Sequence, residues 1–417
     1  MNPSALSRIS SRICRAVVRP RKLLNLRSMT TAGMSERVAQ TNDLPKKDKI
    51  LFTPGPLGIN HETKLAMIRD LGSRDFEFMA TIKEIRTKIL DIACISREEF
   101  TMVPMQGSGT FAIEAVIMTM VPKENGKLLV AYTGSYGKRM VEIAQYSNIE
   151  TVVVKNDEDK FIDVKAIEDA LKADPSITNV AVVHCETSSG VIHPIHEVGV
   201  IVRKYAPQAT FFVDAMSSFG AVPVDMKNID FLVTSANKCI EGTPGFGVVI
   251  ARKSSLLECE GRCRSLSLDL YEQYKGLEAN GQFRFTPPIH SILAFKKALE
   301  CLEVEGGIEG RGRRYQENRR VLREGMKKLG FKEFLNDDHS GYIITSYRFP
   351  TDPNFDFKTF YSSLSEMGMA IYPGKVTEAD CFRIGTIGYL HPQNIADLLV
   401  CIEKVCKNMS IALPVKY

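Results

Sequence analysis

The chain has 417 residues, 44% of them hydrophobic and 25% charged, a balance typical of folded globular proteins that excludes a disordered or fibrous chain. Its length exceeds what one core usually holds, so we expect two domains. No segment approaches the roughly 18 uninterrupted apolar residues of a membrane helix, so no membrane partner is expected. Seven of the 54 basic residues fall within residues 1–35, which contain no Asp or Glu. The rest of the chain is therefore slightly acidic, which disfavours a nucleic-acid partner.

Residues 1–45 are predicted to be a transit peptide and a linker. Four arginines recur at steps of three and four residues and share one face of a helix; they are Arg8, Arg12, Arg15 and Arg19. An Arg-rich, Ser-rich, acid-free amphipathic segment is typical of organelle transit peptides. We therefore predict a mitochondrial matrix protein, with a cytosolic form if translation begins at Met29 or Met34. A disordered basic tail is the alternative.

From residue 46 onward, short apolar or β-branched runs alternate with helical patterns. The predicted strands are Phe100–Met105, Leu128–Tyr132, Thr151–Lys155, Asn179–Cys185, Thr210–Ala215, Phe231–Ser235 and Gly247–Ala251. The predicted helices between them include Tyr136–Tyr146, Val164–Lys172 and Pro194–Tyr205. This alternation predicts an α/β fold with a large, mainly parallel sheet flanked by helices. The glycines at 245 and 247 suggest a chain reversal and one antiparallel strand. We assign residues 46–300 to this large domain.

The pattern changes after Pro287-Pro288. Helical periodicity runs from Ile289 to Leu329 and is interrupted at Gly306-Gly307. Strands and helices then follow in an α+β order: strand Tyr342–Phe349, helix Phe357–Met367, strands Met369–Tyr372 and Cys381–Ile384, and helix Pro392–Lys407. We assign residues 301–417 to a smaller C-terminal domain.

A candidate phosphate cradle follows the first predicted strand. Small residues occupy positions 107–110 (Gly-Ser-Gly-Thr), just before an apolar helix. Such a helix start presents backbone N–H groups, hydroxyls and the positive end of the helix dipole to an anion. The string is neither a Walker loop nor GxGxxG, and an ordinary N-cap turn at Ser108 is the alternative.

Three charged residues occupy apolar surroundings. Asp214 ends a predicted strand, where α/β folds place ligands, or else caps a following helix. Lys238 follows another strand among small and apolar residues, which would lower the pKa of its amine as a Schiff-base lysine requires; a surface lysine is the alternative. Arg383 lies in a strand-like run and can hold a carboxylate or a phosphate-like anion with its planar fork, or pair with an internal acid.

The ten cysteines form no paired CxxC array, so we expect free thiols in a reducing compartment and no metal site.

The order of these pieces resembles the class V, fold-type I pyridoxal-phosphate aminotransferases. The resemblance covers about residues 50–408 and rests on five strings: Leu51–Pro56, Gln106–Ala115, Ser235–Gly247, Arg284–Pro288 and Tyr372–Gly385. It implies a fold-type I aminotransferase with pyridoxal 5'-phosphate as cofactor and an active site shared within a homodimer.

The resemblance also implies a role for each matching residue. Lys238 would bind the cofactor and move protons, and Asp214 would pair with the pyridine nitrogen. Ser108, Gly109 and Thr110 would hold the phosphate, and Thr286 would reach the phosphate bound by the other subunit. Tyr136 would stack on the ring, although it can also be a core residue at a helix start. Thr187 would bond the ring oxygen. Where relatives can place a tyrosine before the shared threonine, this chain has Phe283, so that hydroxyl contact is not expected.

The substrates implied are 2-aminoethylphosphonate and pyruvate, giving phosphonoacetaldehyde and L-alanine by ping-pong kinetics. Arg383 would bind the anionic group of each substrate, and Thr53, in the segment Thr53–Pro56, is a further candidate for binding the phosphonate; the alternative is that this segment only turns the chain. Alanine–glyoxylate or serine–pyruvate aminotransferase activity on the same scaffold remains an alternative. A non-enzymatic relative would need a broken site, and all the residues above are present.

Overall fold

The computed structural model describes residues 48–336, 339–372 and 380–417. Its strands are, in chain order, β1 (Ile50–Leu51), β2 (Phe100–Gly107), β3 (Lys127–Tyr132), β4 (Glu150–Lys155), β5 (Asn179–Val183), β6 (Cys185–Glu186), β7 (Val191–Ile192), β8 (Thr210–Asp214), β9 (Phe231–Ser235), β10 (Gly245–Arg252), β11 (Ile344–Arg348), β12 (Met369–Ala370) and β13 (Cys381–Gly385).

The α-helices are α1 (His61–Leu65), α2 (Phe76–Ile92), α3 (Gly109–Met120), α4 (Ser135–Tyr146), α5 (Val164–Ala173), α6 (Ile195–Tyr205), α7 (Lys253–Leu257), α8 (Leu270–Asn280), α9 (Ile289–Val304), α10 (Gly307–Lys328), α11 (Phe357–Glu366) and α12 (Pro392–Asn408). None of the helices within the described ranges is long and apolar enough to cross a membrane.

A seven-stranded sheet carries the candidate site. Its strand order is β2-β10-β9-β8-β5-β3-β4, and neighbouring strands are parallel except where β10 runs antiparallel to both β2 and β9. This confirms the predicted α/β fold with its mainly parallel sheet and its reversed strand. Because β2 and β9 both oppose β10, they point the same way, and the carboxyl ends of β2, β5, β8 and β9 meet at one edge of the sheet.

The inner strands are continuous apolar runs because helices cover both faces of the sheet. Every residue of β5 and β9 is buried. The helix α5 shows how such a helix is built: Ile167 and Leu171 are buried on one face, and Asp163 caps its start by accepting a hydrogen bond from the backbone N–H of Ala166 at 3.0 Å.

One predicted strand is divided in the structure. The run from 179 to 185 was expected as a single strand, but β5 ends at Val183. Cys185 then pairs with Ile192 in a short antiparallel hairpin of β6 and β7, so the chain leaves the sheet at the edge where the candidate residues lie.

The C-terminal elements form a second apolar core around Phe360, Phe382 and Leu398. There β11 and β13 pair antiparallel, with Ser346 opposite Arg383, and β1 pairs parallel with β12. The predicted long helical region is two helices, α9 and α10, separated at the glycines at 306 and 307. The division into domains at residues 300 and 301 stays a prediction.

Candidate active site

A cavity of about 280 Å³ opens at the carboxyl edge of the sheet. Seven of the residues proposed from the sequence line it: Ser108, Gly109, Thr110, Tyr136, Thr187, Asp214 and Lys238. They come from the ends of five separate segments of the chain, which the strand order brings together.

Lys238 lies in a tight turn directly after β9. The turn is closed by backbone hydrogen bonds from Glu241 N to Lys238 O and from Gly242 N to Ala236 O, both of 2.8 Å. The amine points into the cavity and donates to the carbonyl oxygen of Pro54 at 2.6 Å. Burial lowers the pKa of this amine to about 8. The side chain is thus not that of a snorkelling surface lysine, and a usable fraction of the amine is neutral near physiological pH.

Gly55 leaves room for this amine. Its φ is +115°, and a Cβ added there would lie 2.5 Å from Cδ of Lys238. A side chain at this position would therefore be strained in its backbone and would collide with the lysine.

Asp214 ends β8 and is 2% exposed. Its Oδ1 accepts from the backbone N–H of Met216 at 2.8 Å, in a local turn rather than at the start of a helix. Burial is the main reason that the pKa of Asp214 is raised to about 7; the hydrogen bond from Met216 and the charges of Lys238 and Arg139 oppose the rise, and the charge of Glu186 adds to it. A carboxylate in this position is stabilised by a cation placed in the cavity.

The cradle begins where β2 meets α3. Gly107 has φ +107°, and Ser108 precedes the helix without making a side-chain capping hydrogen bond. The hydroxyl of Ser108 is therefore not used as an N-cap. A Cβ on Gly109 would lie 2.2 Å from Sδ of Met216, so a larger residue at the first helical position would require this methionine side chain to move. The open helix start is suited to an anion.

Tyr136 is held at the start of α4 by a buried carboxylate. Glu186, fully buried, accepts from the backbone N–H groups of Tyr136 at 3.2 Å and Gly137 at 3.3 Å, and from the hydroxyl of Ser188 at 2.7 Å. Burial raises the pKa of Glu186. Glu186 carries no local signal in the sequence, because its contact with α4 joins positions about 50 residues apart.

Arg139 was also not identified from the sequence. It lines the cavity, its Nη1 donates to Oγ1 of Thr110 at 3.3 Å, and its guanidinium lies 5.0 Å from the ring centroid of Tyr136. Because Arg139 follows Tyr136 by three residues in a predicted helix, the shared helical face was the signal that could have found it.

Two polar residues just before Lys238 complete the wall. Ser235 and Asn237 line the cavity, and the buried hydroxyl of Ser235 has no hydrogen-bond partner among the residues described. An unpaired hydroxyl next to a cavity is a ready contact for a bound polar group. Ser235 and Asn237 are separated by one residue and directly precede Lys238, and this closeness to the candidate lysine was the signal in the sequence that could have identified them.

Arg383 lies in β13 beside the cavity and is 6% exposed. Its Nη1 donates to the backbone oxygen of Thr187 at 2.7 Å, and its guanidinium lies 4.7 Å from the ring centroid of Tyr372. Its buried Nε has no hydrogen-bond partner within the described chain. Burial lowers the pKa of this guanidinium. Among the described residues Arg383 therefore donates to a neutral carbonyl oxygen and keeps its Nε for an anion, although the charges of Glu186 and Glu158 also act on it.

Thr53 lies beside β13 but not in the cavity wall. A Cβ on Gly385 would lie 2.4 Å from the backbone oxygen of Thr53, which places this segment two residues along the strand from Arg383. The hydroxyl of Thr53 donates to the carbonyl oxygen of Pro56 at 2.6 Å, so its hydrogen is already used within the segment.

Thr286 is exposed and lies outside the cavity. It lines a separate pocket of about 320 Å³ with Arg74 and Arg284. Nε2 of Gln106, just before the cradle, donates to the backbone oxygen of Phe285 at 2.9 Å. Of the motif Tyr372–Thr377, only Tyr372 belongs to the described residues.

The profile of the family described as aminotransferase class-V matches residues 61–382. The chain belongs to this family.

Named relatives agree with this assignment. A 2-aminoethylphosphonate–pyruvate transaminase of Vibrio vulnificus is 47% identical over 363 residues, covering 86% of this chain and 98% of the relative. A protein of the same name from Bacteroides fragilis is 45% identical over 362 residues, covering 86% and 99%. The crystal structure of ureidoglycine–glyoxylate aminotransferase from Bacillus subtilis superposes with a TM-score of 0.81 at 23% identity, covering 89% of this chain and 96% of that one, which shows the fold-type I architecture.

The prediction of a mitochondrial location is wrong. The Vibrio and Bacteroides relatives are bacterial enzymes, and bacteria have no mitochondria. Neither a transit peptide nor a matrix location is therefore assigned. The second form that would begin at Met29 or Met34 is withdrawn too, because it was proposed only as the untargeted counterpart of the matrix form. Residues 1–45, on which the prediction rested, lie outside the described residues. A basic amphipathic pattern does not define an address by itself, because any basic tail with scattered apolar residues can produce it.

Proposed function

We propose that the chain is a pyridoxal-phosphate-dependent transaminase that moves the amino group of 2-aminoethylphosphonate to pyruvate, giving phosphonoacetaldehyde and L-alanine. One observation carries the chemistry: a buried amine of lowered pKa, Lys238, shares a cavity with a buried carboxylate, Asp214, and an open helix start at Ser108. The names of relatives 45–47% identical to the chain support the choice of substrates.

The cavity residues fit the cofactor. A phosphate suits the uncapped start of α3, where Ser108, Gly109 and Thr110 would hold it. A protonated ring nitrogen would supply the cation that the buried carboxylate of Asp214 lacks. Tyr136 would pack on the ring, and the hydroxyl of Thr187 would bond the ring oxygen. When bound, pyridoxal phosphate withdraws electrons from the carbon that carries the substrate's amino group.

Lys238 would act twice. Its amine, with a pKa lowered to about 8, is partly neutral at physiological pH and can act as a nucleophile. Once released from that role, the same amine would take a proton from the substrate carbon that carries the nitrogen and deliver it to the cofactor carbon, because a pKa near the working pH suits both directions of transfer. Asp214 would remain ionised as the partner of the ring nitrogen.

Arg383 would bind the anionic end of each substrate. Its fork can make two parallel hydrogen bonds to a carboxylate or to a phosphonate, so one residue can serve both half reactions in turn. This sharing is consistent with a ping-pong order, in which the first product leaves before the second substrate binds. Thr53, whose backbone packs against Gly385, two residues along β13 from Arg383, is proposed as a substrate-binding residue because of this position and not because of a free hydroxyl.

A homodimer is part of the proposal. Thr286 is exposed on the described chain and would complete the partner's phosphate site. Two large apolar side chains are also exposed. Phe285, next to Thr286 in the sequence, is 46% exposed, and Phe111, just after the cradle, is 51% exposed. Apolar surface of this kind is suited to contact with a second subunit.

An amine-donor panel tests the substrates. Purified enzyme would be given pyruvate with 2-aminoethylphosphonate, serine or another amine donor, and alanine formation would be followed; alanine would be tested separately with glyoxylate, following glycine. We expect the highest kcat/KM with 2-aminoethylphosphonate. A preference for serine, or for alanine with glyoxylate, would favour the alternative activities instead.

A further inference from the structure

Residues 236–242, the turn after β9 that carries Lys238, form the lysine turn. This turn contains a second buried charged residue, Glu241, three positions after Lys238. Its φ of +63° lies in the left-handed region, which a residue with a Cβ rarely adopts unless its surroundings hold it there. Its side chain is also buried, although a carboxylate is rarely buried without partners. A strained backbone and a buried charge at one residue indicate a role beyond turning the chain.

Side chains of α10 hold the Glu241 carboxylate. Its Oε1 accepts from the hydroxyl of Tyr315 at 2.6 Å and from Nη2 of Arg314 at 2.7 Å, and Nη1 of Arg311 lies 3.4 Å away. Tyr315 and Arg311 are almost completely buried. The lysine turn is thus fixed to this helix by charge-assisted hydrogen bonds that water screens little.

The same helix also holds the segment that follows β13. The backbone N–H of Gly388 donates to the hydroxyl of Tyr315 at 3.1 Å. Nη1 of Arg314 donates to the carbonyl oxygens of Gly388 at 2.6 Å and Leu390 at 2.8 Å. Gly388 lies five residues after Arg383, so hydrogen bonds run from the lysine turn to the segment that carries the anion-binding arginine.

We propose that Glu241 is a positioning residue that sets the place of the Lys238 amine relative to the Arg383 guanidinium. The inference rests on the proposed function, since it takes these two groups as the cofactor-binding amine and the substrate anion site. Glu241 does not line the cavity and acts through the turn. Reacting groups tolerate little error, because a displacement of about 1 Å can slow a reaction on the order of a hundredfold.

Glu305 provides a matched control. Its carboxylate binds the same two arginines, with Nε of Arg311 at 2.6 Å and Nε of Arg314 at 2.7 Å. It follows α9, however, and does not belong to the lysine turn. Neutralising Glu305 or Glu241 leaves the two guanidinium groups short of one negative charge, so both changes should destabilise the fold. Only the change at Glu241 should displace the lysine.

The test compares Glu241→Gln, Tyr315→Phe and Glu305→Gln in the full chain loaded with pyridoxal phosphate. Four quantities are measured for each: the thermal midpoint, the pH midpoint of the visible cofactor absorbance, kcat and KM. We expect the first two variants to lower kcat about tenfold to a hundredfold and to shift the pH midpoint. Glu305→Gln should lower the thermal midpoint and leave the pH midpoint and kcat unchanged.

Thermal losses without any change in kcat or in the pH midpoint would show a structural role only and overturn the proposal. If Glu241→Gln does not fold, Tyr315→Phe, which loses a single hydroxyl, decides between the same two outcomes. An unsubstituted chain that shows no visible absorbance with pyridoxal phosphate would overturn the proposed function together with this inference. An active unsubstituted chain whose variants behave like Glu305→Gln would overturn this inference alone.

Discussion

The amine of Lys238 donates a hydrogen bond of 2.6 Å to the carbonyl oxygen of Pro54, 184 residues earlier in the chain. This contact joins the turn after β9 to the turn that follows β1. It holds the amine in the cavity at a defined point, with Gly55 directly beside it.

Replacing Lys238 by Ala should abolish the visible absorbance that the cofactor gives in the enzyme and lower kcat by about 10³-fold or more, because both nucleophile and proton-transfer group are lost. Absorbance spectra and steady-state rates check this, with Lys227→Ala, an exposed lysine, as the control. Borohydride reduction followed by peptide mapping should label Lys238; a label on another lysine would refute the assignment.

Asp214→Asn should stabilise the cofactor-free protein above pH 7. The folded-state pKa of Asp214 is raised to about 7 from 3.8, so the folded protein retains a proton that the unfolded chain releases. The carboxylate therefore costs stability progressively as the pH rises from about 4 to 7, on the order of a few kcal/mol in full. Urea unfolding at pH 4 and pH 8 checks this. The free energy of unfolding of the variant should exceed that of the unsubstituted protein at pH 8 only. Equal stability of both proteins at pH 8 would contradict the conclusion that burial destabilises the ionised carboxylate of Asp214. The activity of the variant should fall in either case.

Arg383→Lys keeps the charge and loses the planar fork. Each half reaction should slow by about tenfold to a hundredfold, since a point charge cannot reproduce two parallel charged hydrogen bonds. Single-turnover measurements of the two half reactions check this. Arg348→Lys is the control, because Arg348 is exposed on the strand that pairs with β13. A loss confined to one half reaction would show that the two substrates bind different groups.

Thr286→Val should weaken cofactor binding about tenfold in the assembled enzyme, the cost of one hydrogen bond to a charged group. Cofactor affinity should also fall on dilution of the unsubstituted protein, in step with dissociation measured by sedimentation. Thr351→Val, at another exposed threonine, is the control. An active monomer saturated with cofactor would remove the shared site from the proposal.

Thr53→Val distinguishes two roles for the segment 53–56. The single hydroxyl hydrogen of Thr53 is donated to Pro56, so it is not available to a phosphonate. We therefore expect the variant to loosen this turn and to slow both half reactions by similar factors. A loss limited to the 2-aminoethylphosphonate half reaction would instead show that Thr53 recognises the phosphonate directly.

The sequence predicted elements and candidates where the signal was local. Lys238 was recognisable because small and apolar residues surround it after a buried strand, and Asp214 because it ends one. The buried strands β8 and β9 were recognisable as uninterrupted apolar runs.

The contacts that orient those residues were not recognisable. Glu186 holds the start of α4 from about 50 residues away. In the sequence alone it cannot be distinguished from an ordinary exposed glutamate in a hairpin. The pairing of β1 with β12 joins two strands of two residues each, too short to give a periodic pattern. The contact from Lys238 to Pro54 depends on this tertiary arrangement, which no local spacing encodes.

The pairing of the strands places the residues proposed to bind the cofactor and the arginine proposed to bind the substrate on two different sheets. The cradle and Lys238 are fixed to one another through the backbone of β10, whose Gly245 faces Gly107 and whose Gly247 faces Ser235. Arg383, in contrast, sits on the two-stranded sheet of β11 and β13. The group proposed to bind the anionic end of the substrate is therefore carried by a different sheet from the groups proposed to bind the cofactor. A substitution in the two-stranded sheet could alter the grip on the substrate without moving the cradle relative to Lys238.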